Sequence, residues 1–313
     1  VGTVSSVAIL QSLRRPLYPP LLLLQAAARP LAVAGLAAAV GAARGRRPAI
    51  AALTLAPLAW YLMTRAGGDG GQRRLAPDAD SRVTVLTVNL WCDNRGAAAA
   101  AEDVARVGAD VVLLQEVSPD HVADVARKLS GGYPHRLIDA RPGYFGSAIF
   151  SRFSLEGARA FQIAGVPMTR ADVMTPAGRV HVVNVHLVAP LLPALAEQWH
   201  SQLEALGDLT AGQHGPLVVA GDFNATADHR LFRVLRRAGL REAGRSWRAS
   251  ATYPRHPLLP AAFELDHVLV RGMLALAPVR RIKVAGSDHY GLLAELVAVR
   301  PEGVGHTHWD GMG

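Results

Sequence analysis

The sequence predicts a layered α/β domain behind an apolar N-terminal region, and three observations carry that prediction. From residue 83 onward, short strand-like runs alternate with helix-like stretches. Nearly every strand-like run stops at an Asn, Glu, Asp or His rather than at an ordinary turn residue. Before Asp69 there is no acidic residue, and residues 17–43 and 48–63 are almost wholly apolar.

The elements follow in order. V-T-V-L-T-V-N-L at 83–90 is rich in β-branched residues and reads as a buried strand, followed by an alanine-rich helix near 97–107. D-V-V-L-L-Q-E at 110–116 is the next strand, with a helix near 118–130. Further strands are expected at 145–151, 179–187, 216–221, 266–270 and 290–299, and helices near 192–209 and 228–238. Residues 83–299 thus form one domain of α/β class. The tail 300–313 is glycine-rich and expected to be disordered, and its His306 and His308 are read as incidental. Residues 66–82 combine Gly, Pro and charge, as an exposed linker does.

Residues 1–65 are read as a membrane anchor of two helices, a transmembrane hairpin turned at R-G-R-R (44–47). A bilayer core asks for about 17–25 apolar residues per helix. The first segment reaches that length across Arg29, and the second is marginal but carries Trp60 and Tyr61 where an interfacial aromatic belt would sit. A cleaved signal sequence or buried core helices are the alternatives. Residues 1–64 hold six arginines, which leaves +2 of the net +8 for the rest of the chain. The basic character therefore suits a membrane surface and supplies no footprint for long DNA. Cys92 is the sole cysteine, so no intrachain disulfide forms, and no role is assigned to it.

The chemistry lies at the strand ends. In P-L-V-V-A-G-D-F-N-A-T (216–226), Asp222 and Asn224 stand two apart, pointing the same way about 7 Å from each other in an extended backbone. Asn89, Glu116, the pair Asn184 and His186, Asp266, and the pair Asp288 and His289 occupy corresponding places. Each alone reads as a solvated terminus; together, converging acids, amides and histidines imply a shared site. They suit phosphoester hydrolysis, in which phosphate charge is neutralised before water attacks. Mg²⁺ needs only one or two carboxylates, and Glu116 is the natural one. No G-x-x-x-x-G-K-[ST], H-E-x-x-H or G-x-S-x-G occurs, which argues against P-loop, zinc-peptidase and serine-hydrolase chemistry. T-Y-P-R-H-P-L-L-P (252–260) reads as a substrate-side loop.

The motifs T-V-N-L-W, L-L-Q-E-V, G-S-A-I-F-S-R, N-V-H-L, G-D-F-N-A, L-D-H-V-L-V and S-D-H, in this order, resemble the endonuclease/exonuclease/phosphatase superfamily from about Val83 to Val299. The resemblance implies a four-layer α/β sandwich with two mixed β-sheets flanked by helices. It implies Glu116 as direct metal ligand, with Asn89 and Asp288 at or beside the metal, and His186, Asn184 and Asn224 on the substrate phosphate. Asp222 would orient or activate water, and Asp266 would pair with His289, which stabilises the transition state. The cofactor would be Mg²⁺, or Mn²⁺ in its place. Several nuclease members carry an Asp two residues after the first-strand Asn; here Trp91 stands there, leaving Asp93 as a candidate second carboxylate. The expectation is a bacterial, membrane-anchored phosphodiesterase acting on a lipid headgroup or nucleic acid, its catalytic domain extracytoplasmic, with no obligate protein partner. A non-catalytic, membrane-tethered binding module on the same fold is the competing expectation.

Overall fold

The computed structural model describes residues 19–47, 82–176, 178–244, 251–258 and 260–298, with isolated positions 49, 50, 52 and 55. The expected linker 66–82 (save Arg82), most of the second apolar segment 48–63 and the tail 300–313 lie outside the described residues.

Two helices open the chain, α1 (Pro19–Ala26) and α2 (Ala28–Arg44). No single described helix is long and apolar enough to cross a membrane; the two together pass that test but bend by 63°. The break has a local cause. In a continuous helix the nitrogen of Pro30 would have to donate to the carbonyl of Ala26, and proline has no proton there.

The body is two mixed sheets, face to face. The first holds β1 (Arg82–Asn89), β2 (Val111–Gln115), β3 (His135–Asp139), β4 (Ser147–Ser151), β11 (Met273–Ala275), β12 (Arg280–Lys283) and β13 (Tyr290–Ala298). Its order is β11-β13-β1-β2-β4-β3, with β12 also on β13. The second runs β5 (Leu155–Ile163), β6 (Val166–Thr175), β7 (Gly178–His186), β8 (Leu217–Asp222), β10 (Asp266–Arg271) and β9 (Arg241–Glu242), in that spatial order. In each sheet one central pair is parallel, β1 with β2 and β7 with β8. A hydrogen bond from Asn89 to Asp222 across the two sheets places the ends of all four strands at the same end of the sandwich.

Three apolar clusters make four layers. Val83, Val85, Leu113 and Ile149 of the first sheet meet Val173, Val182, Val218 and Val268 of the second in the middle. The outer face of the first sheet buries Ala100, Ala101, Val104, Val125 and Leu129 of α3 (Ala97–Val107) and α4 (Pro119–Leu129). The outer face of the second buries Trp199, Leu203 and Leu206 of α5 (Pro193–Ala211) and Leu235 of α6 (Arg233–Arg237), together with Leu22 of α1. Strands buried on both faces read as continuous apolar runs, which is why β1, β2 and β8 are visible in the sequence.

Six strands were not anticipated, among them the short β9, β11 and β12. β5 is an edge strand whose residues are mostly exposed, so L-E-G-A-R-A-F-Q-I lacks the apolar signature. β6 is interrupted by Pro167 and arginine, and β3 (H-R-L-I-D) is too short and polar to stand out. The helix expected near 228–238 is a 3₁₀ turn, Arg230–Phe232, followed by the short α6.

Candidate active site

At the end of the sandwich where β1, β2, β7 and β8 finish, Asn89, Glu116, His186, Asp222, Asp266 and His289 are all buried. They come from both sheets, and hydrogen bonds join them across the gap. The side-chain amide of Asn89 donates to Glu116 Oε1 at 2.9 Å and to Asp222 Oδ2 at 3.1 Å. Its oxygen accepts the Trp91 backbone N–H at 2.9 Å. Glu116 Oε2 accepts the Cys92 N–H at 2.8 Å. One amide thus clamps two carboxylates that belong to different sheets.

The backbone is bent to aim these groups. Glu116, directly after β2, has φ 55°, Trp91 has φ 63° and Asn224 has φ 45°. Left-handed conformations at non-glycine residues cost about 1–3 kcal/mol each and persist where surrounding contacts over-determine them. Gly221 is required by close approach: a Cβ there would stand 1.9 Å from the Val185 carbonyl oxygen. Asp222 Oδ1 accepts the Asn224 N–H at 2.8 Å, so the bend after Gly221 locks the carboxylate's orientation.

His289 Nδ1 lies 2.8 Å from Asp266 Oδ2, and its Nε2 faces Asp222 Oδ2 at 3.8 Å. Burial by itself lowers the pKa of His289, but Asp266 and Asp222 on its two sides outweigh burial and hold it at about 10. The ring is therefore a donor at neutral pH. Tyr253 lies against it, with ring centroids 4.9 Å apart, so the loop 252–260 does reach the site. His186 donates Nδ1–H to the carbonyl of Tyr144 at 2.9 Å. That fixes its tautomer and turns Nε2 to within 3.8 Å of both Glu116 and Asp222. A main-chain carbonyl thus orients His186 in place of a carboxylate, which no sequence pattern announces.

Asp288 is half-buried beside these groups; burial first, then Glu116 and Asp222, raise its pKa, with His289 opposing. Ser287 ties its loop to β1 by donating to the Asn89 carbonyl at 2.7 Å. Asn224 spends one amide proton on the Leu187 carbonyl at 2.9 Å and keeps the other.

Asn184 is a correction. Its amide donates to the carbonyls of Leu114 at 2.9 Å and Ala148 at 3.1 Å, and its oxygen accepts Gln115 Nε2. It shares a face with His186 but lies one pleat deeper, fully occupied in bracing the two sheets, with no donor left for phosphate. Asp93, the candidate second carboxylate, is exposed in the turn after Trp91.

Whether the site fits a divalent cation is decided by charge. Among the described residues no Lys or Arg forms an ion pair with Glu116, Asp222 or Asp266; their nearest basic groups are the imidazoles of His186 and His289. Asp266 Oδ1 is buried without a hydrogen-bond partner. Three buried carboxylates, with Asp288 beside them, exceed two imidazoles, and uncompensated buried charge is costly. A cation fits. Ligand atoms of Asp222, Asp266 and His289 lie within 4.8 Å of one another, with His289 Nδ1 already turned to Asp266 Oδ2 at 2.8 Å. Glu116 is the better holder, because its two N–H donors leave lone pairs open.

The comparisons with known proteins accord with this architecture. The model of the "Endonuclease/Exonuclease/phosphatase family" matches residues 86–289. A UPF0294 protein of Vibrio campbellii is 27% identical over 241 residues, covering 69% of this chain and 78% of its own length. A humanized D. rerio TDP2 superposes with a TM-score of 0.57 at 16% identity, covering 69% of this chain and 99% of that one. Sphingomyelinase C from Streptomyces griseocarneus gives a TM-score of 0.51 at 19% identity, over 68% of this chain and 99% of its own. At such identities the structural likeness speaks for the fold.

Proposed function

Because the chain belongs to the endonuclease/exonuclease/phosphatase family, we propose that it is a Mg²⁺-dependent phosphodiesterase held at a membrane by its N-terminal region. The observation that carries the chemistry is Asp222. Its carboxylate is fixed by Asn224 and Asn89, faces His289 at 3.8 Å, and stands beside Glu116, with which no described Lys or Arg pairs.

Glu116 would hold the cation, with Asn89 clamping it and Asp288 at its margin. When bound there, the cation neutralises phosphate oxygens and lowers the barrier to attack. The chain's own residues do the rest. Asp222 orients a water and takes its proton as the new O–P bond forms. His289 and the free amide proton of Asn224 donate to the phosphoryl oxygens as negative charge builds on them. His186, at the end of the neighbouring strand β7, turns its Nε2 toward the same phosphate. The O–P bond to the leaving group breaks, and the departing oxygen takes up a proton from water. Asp266 keeps His289 in its donor state.

Membrane attachment through residues 1–65, with the catalytic domain on the extracytoplasmic side, is supported by the apolar, arginine-bearing composition of that region. The test is hydrolysis of a soluble phosphodiester, bis(p-nitrophenyl) phosphate, alongside DNA, RNA and phospholipids, by the full chain with Mg²⁺ and with EDTA. Metal-dependent cleavage abolished by an Asp222→Asn, His289→Ala double variant is expected. A folded protein that binds Mg²⁺ and cleaves nothing in the panel would favour the binding-module reading.

A further inference from the structure

We propose that the rim of this site is a lipid-contacting surface, and that the phosphoester it takes belongs to a phospholipid seated in a bilayer. The inference rests on the phosphodiesterase reading and narrows its substrate.

Among the described residues of 82–298, the exposed large apolar side chains are Trp91, Tyr144, Leu191, Leu192 and Leu258, with Leu191 at 74% and Leu258 at 86% exposure. All five sit at the catalytic end. Trp91 donates its N–H to Asn89, and Tyr144 orients His186 through its carbonyl. Leu191 and Leu192 lie in the loop between His186 and α5. Leu258 belongs to the loop whose Tyr253 lies on His289 and whose Arg255 N–H donates to the Asp288 carbonyl. The described turns at the far end of the same sandwich expose none. Scattered apolar side chains need no explanation, but segregation around one charged pocket does.

The kind of residue selects the occupant. A surface for single-stranded nucleic acid stacks bases on aromatic rings along a cationic groove. Three of these five are leucines, which have no π-face and match acyl chains instead. The N-terminal arm adds an independent observation. Val33, Leu36 and Val40 form an exposed apolar stripe on α2, and exposed Arg44, Arg46 and Arg47 follow it. An apolar face ending in basic residues suits an anionic lipid surface. Leu22 of the preceding helix is packed into the core cluster of the catalytic body, so the arm and the site are parts of one packed unit.

The experiment uses the full chain carrying Leu192→Cys at the rim, or Gly132→Cys in an exposed turn at the far end, each labelled with an environment-sensitive fluorophore. The unmutated chain gives the background from Cys92. Vesicles of phosphatidylcholine and phosphatidylglycerol should shift emission to the blue at position 192 and leave position 132 unchanged. Equal responses at both positions, or none at 192, would overturn the proposal. A response at 192 to oligo(dT) with none to vesicles would overturn it in favour of nucleic acid. Combined Leu191→Ser, Leu192→Ser and Leu258→Ser substitutions should lower hydrolysis of vesicle phospholipid about tenfold while leaving bis(p-nitrophenyl) phosphate within about twofold. An undiminished vesicle rate would also overturn it. If the unmutated chain cleaves neither ester, the phosphodiesterase reading and the substrate half of this proposal both fail. The surface half is still decided by the fluorescence, which needs no turnover.

Discussion

The two ends of the sandwich use the same residue types and wire them in opposite ways. At the far end Asp110 and Asp172 have conventional partners. Asp110 accepts the Thr84 N–H at 2.8 Å and its hydroxyl at 2.6 Å, with Arg152 at 3.4 Å. Asp172 pairs with His181 at 2.6 Å and Arg179 at 3.9 Å, and Arg271 satisfies the carbonyls of Thr210 and Ala238. At the end where β1, β2, β7 and β8 finish, Glu116, Asp222 and Asp266 are buried, among the described residues, with amides, backbone N–H groups and imidazoles only. A carboxylate neutralised by arginine is structural and spent. A carboxylate held in place without arginine or lysine remains available to a cation or a proton.

That contrast can be broken at either end. The largest effect should come from Asp222→Asn, which still accepts the Asn224 N–H but cannot take a proton. Metal-dependent turnover is expected to fall about 10³-fold, about 4 kcal/mol of barrier, with the melting temperature held, whereas Asp172→Asn should leave turnover within about twofold. Steady-state kinetics and thermal melts on both variants settle the difference.

Next in size is Glu242→Ala. His267 is fully buried, with Nδ1 2.8 Å from Glu242 and Nε2 2.7 Å from the Ala225 carbonyl. Burial lowers its pKa, but Glu242 more than offsets this and raises it to about 9. Removing the partner strands a buried ring that must donate twice, and denaturant titration near pH 7 should show a loss of about 3 kcal/mol.

His229 gives a pH-dependent effect away from the carboxylates. Burial depresses its pKa from 6.5 to about 4, so between these values the unfolded chain binds protons that the folded chain does not. Stability from this residue is complete above pH 6.5 and is lost as pH falls toward 4. His229→Gln should flatten that part of the stability–pH curve; an unchanged slope would refute the assignment. The smallest effect belongs to Arg179→Ala at the far end, a half-exposed pair with Glu156 at 3.0 Å, where denaturation should move by under about 0.5 kcal/mol.

Much of the site was legible because strand periodicity is rigid. A polar residue that ends an apolar run must lie at the end of a buried strand, and parallel central strands end together. Asn89, Glu116, His186 and Asp222 meet for that reason, and Asp266 and His289 join them because β10 and β13 start there, antiparallel to β8 and β1. The same logic misplaced Asn184: the i, i+2 rule put it correctly on the His186 face, but depth along the strand decides whether a residue meets ligand or the opposite sheet. The β5–β6 hairpin escaped notice because an edge strand with one solvated side need not be apolar.

The amino-acid sequence alone determined the α/β class and the polar residues that end the central strands, since these follow from local period and composition. Only the tertiary structure decided that Tyr144's carbonyl orients His186, that Asn89 clamps carboxylates from two sheets, and that no described arginine pairs with them. It also decided that the exposed leucines gather around the same pocket. Those are contacts between residues far apart in the chain. Their distances are set by how the two sheets pack, which no local pattern encodes.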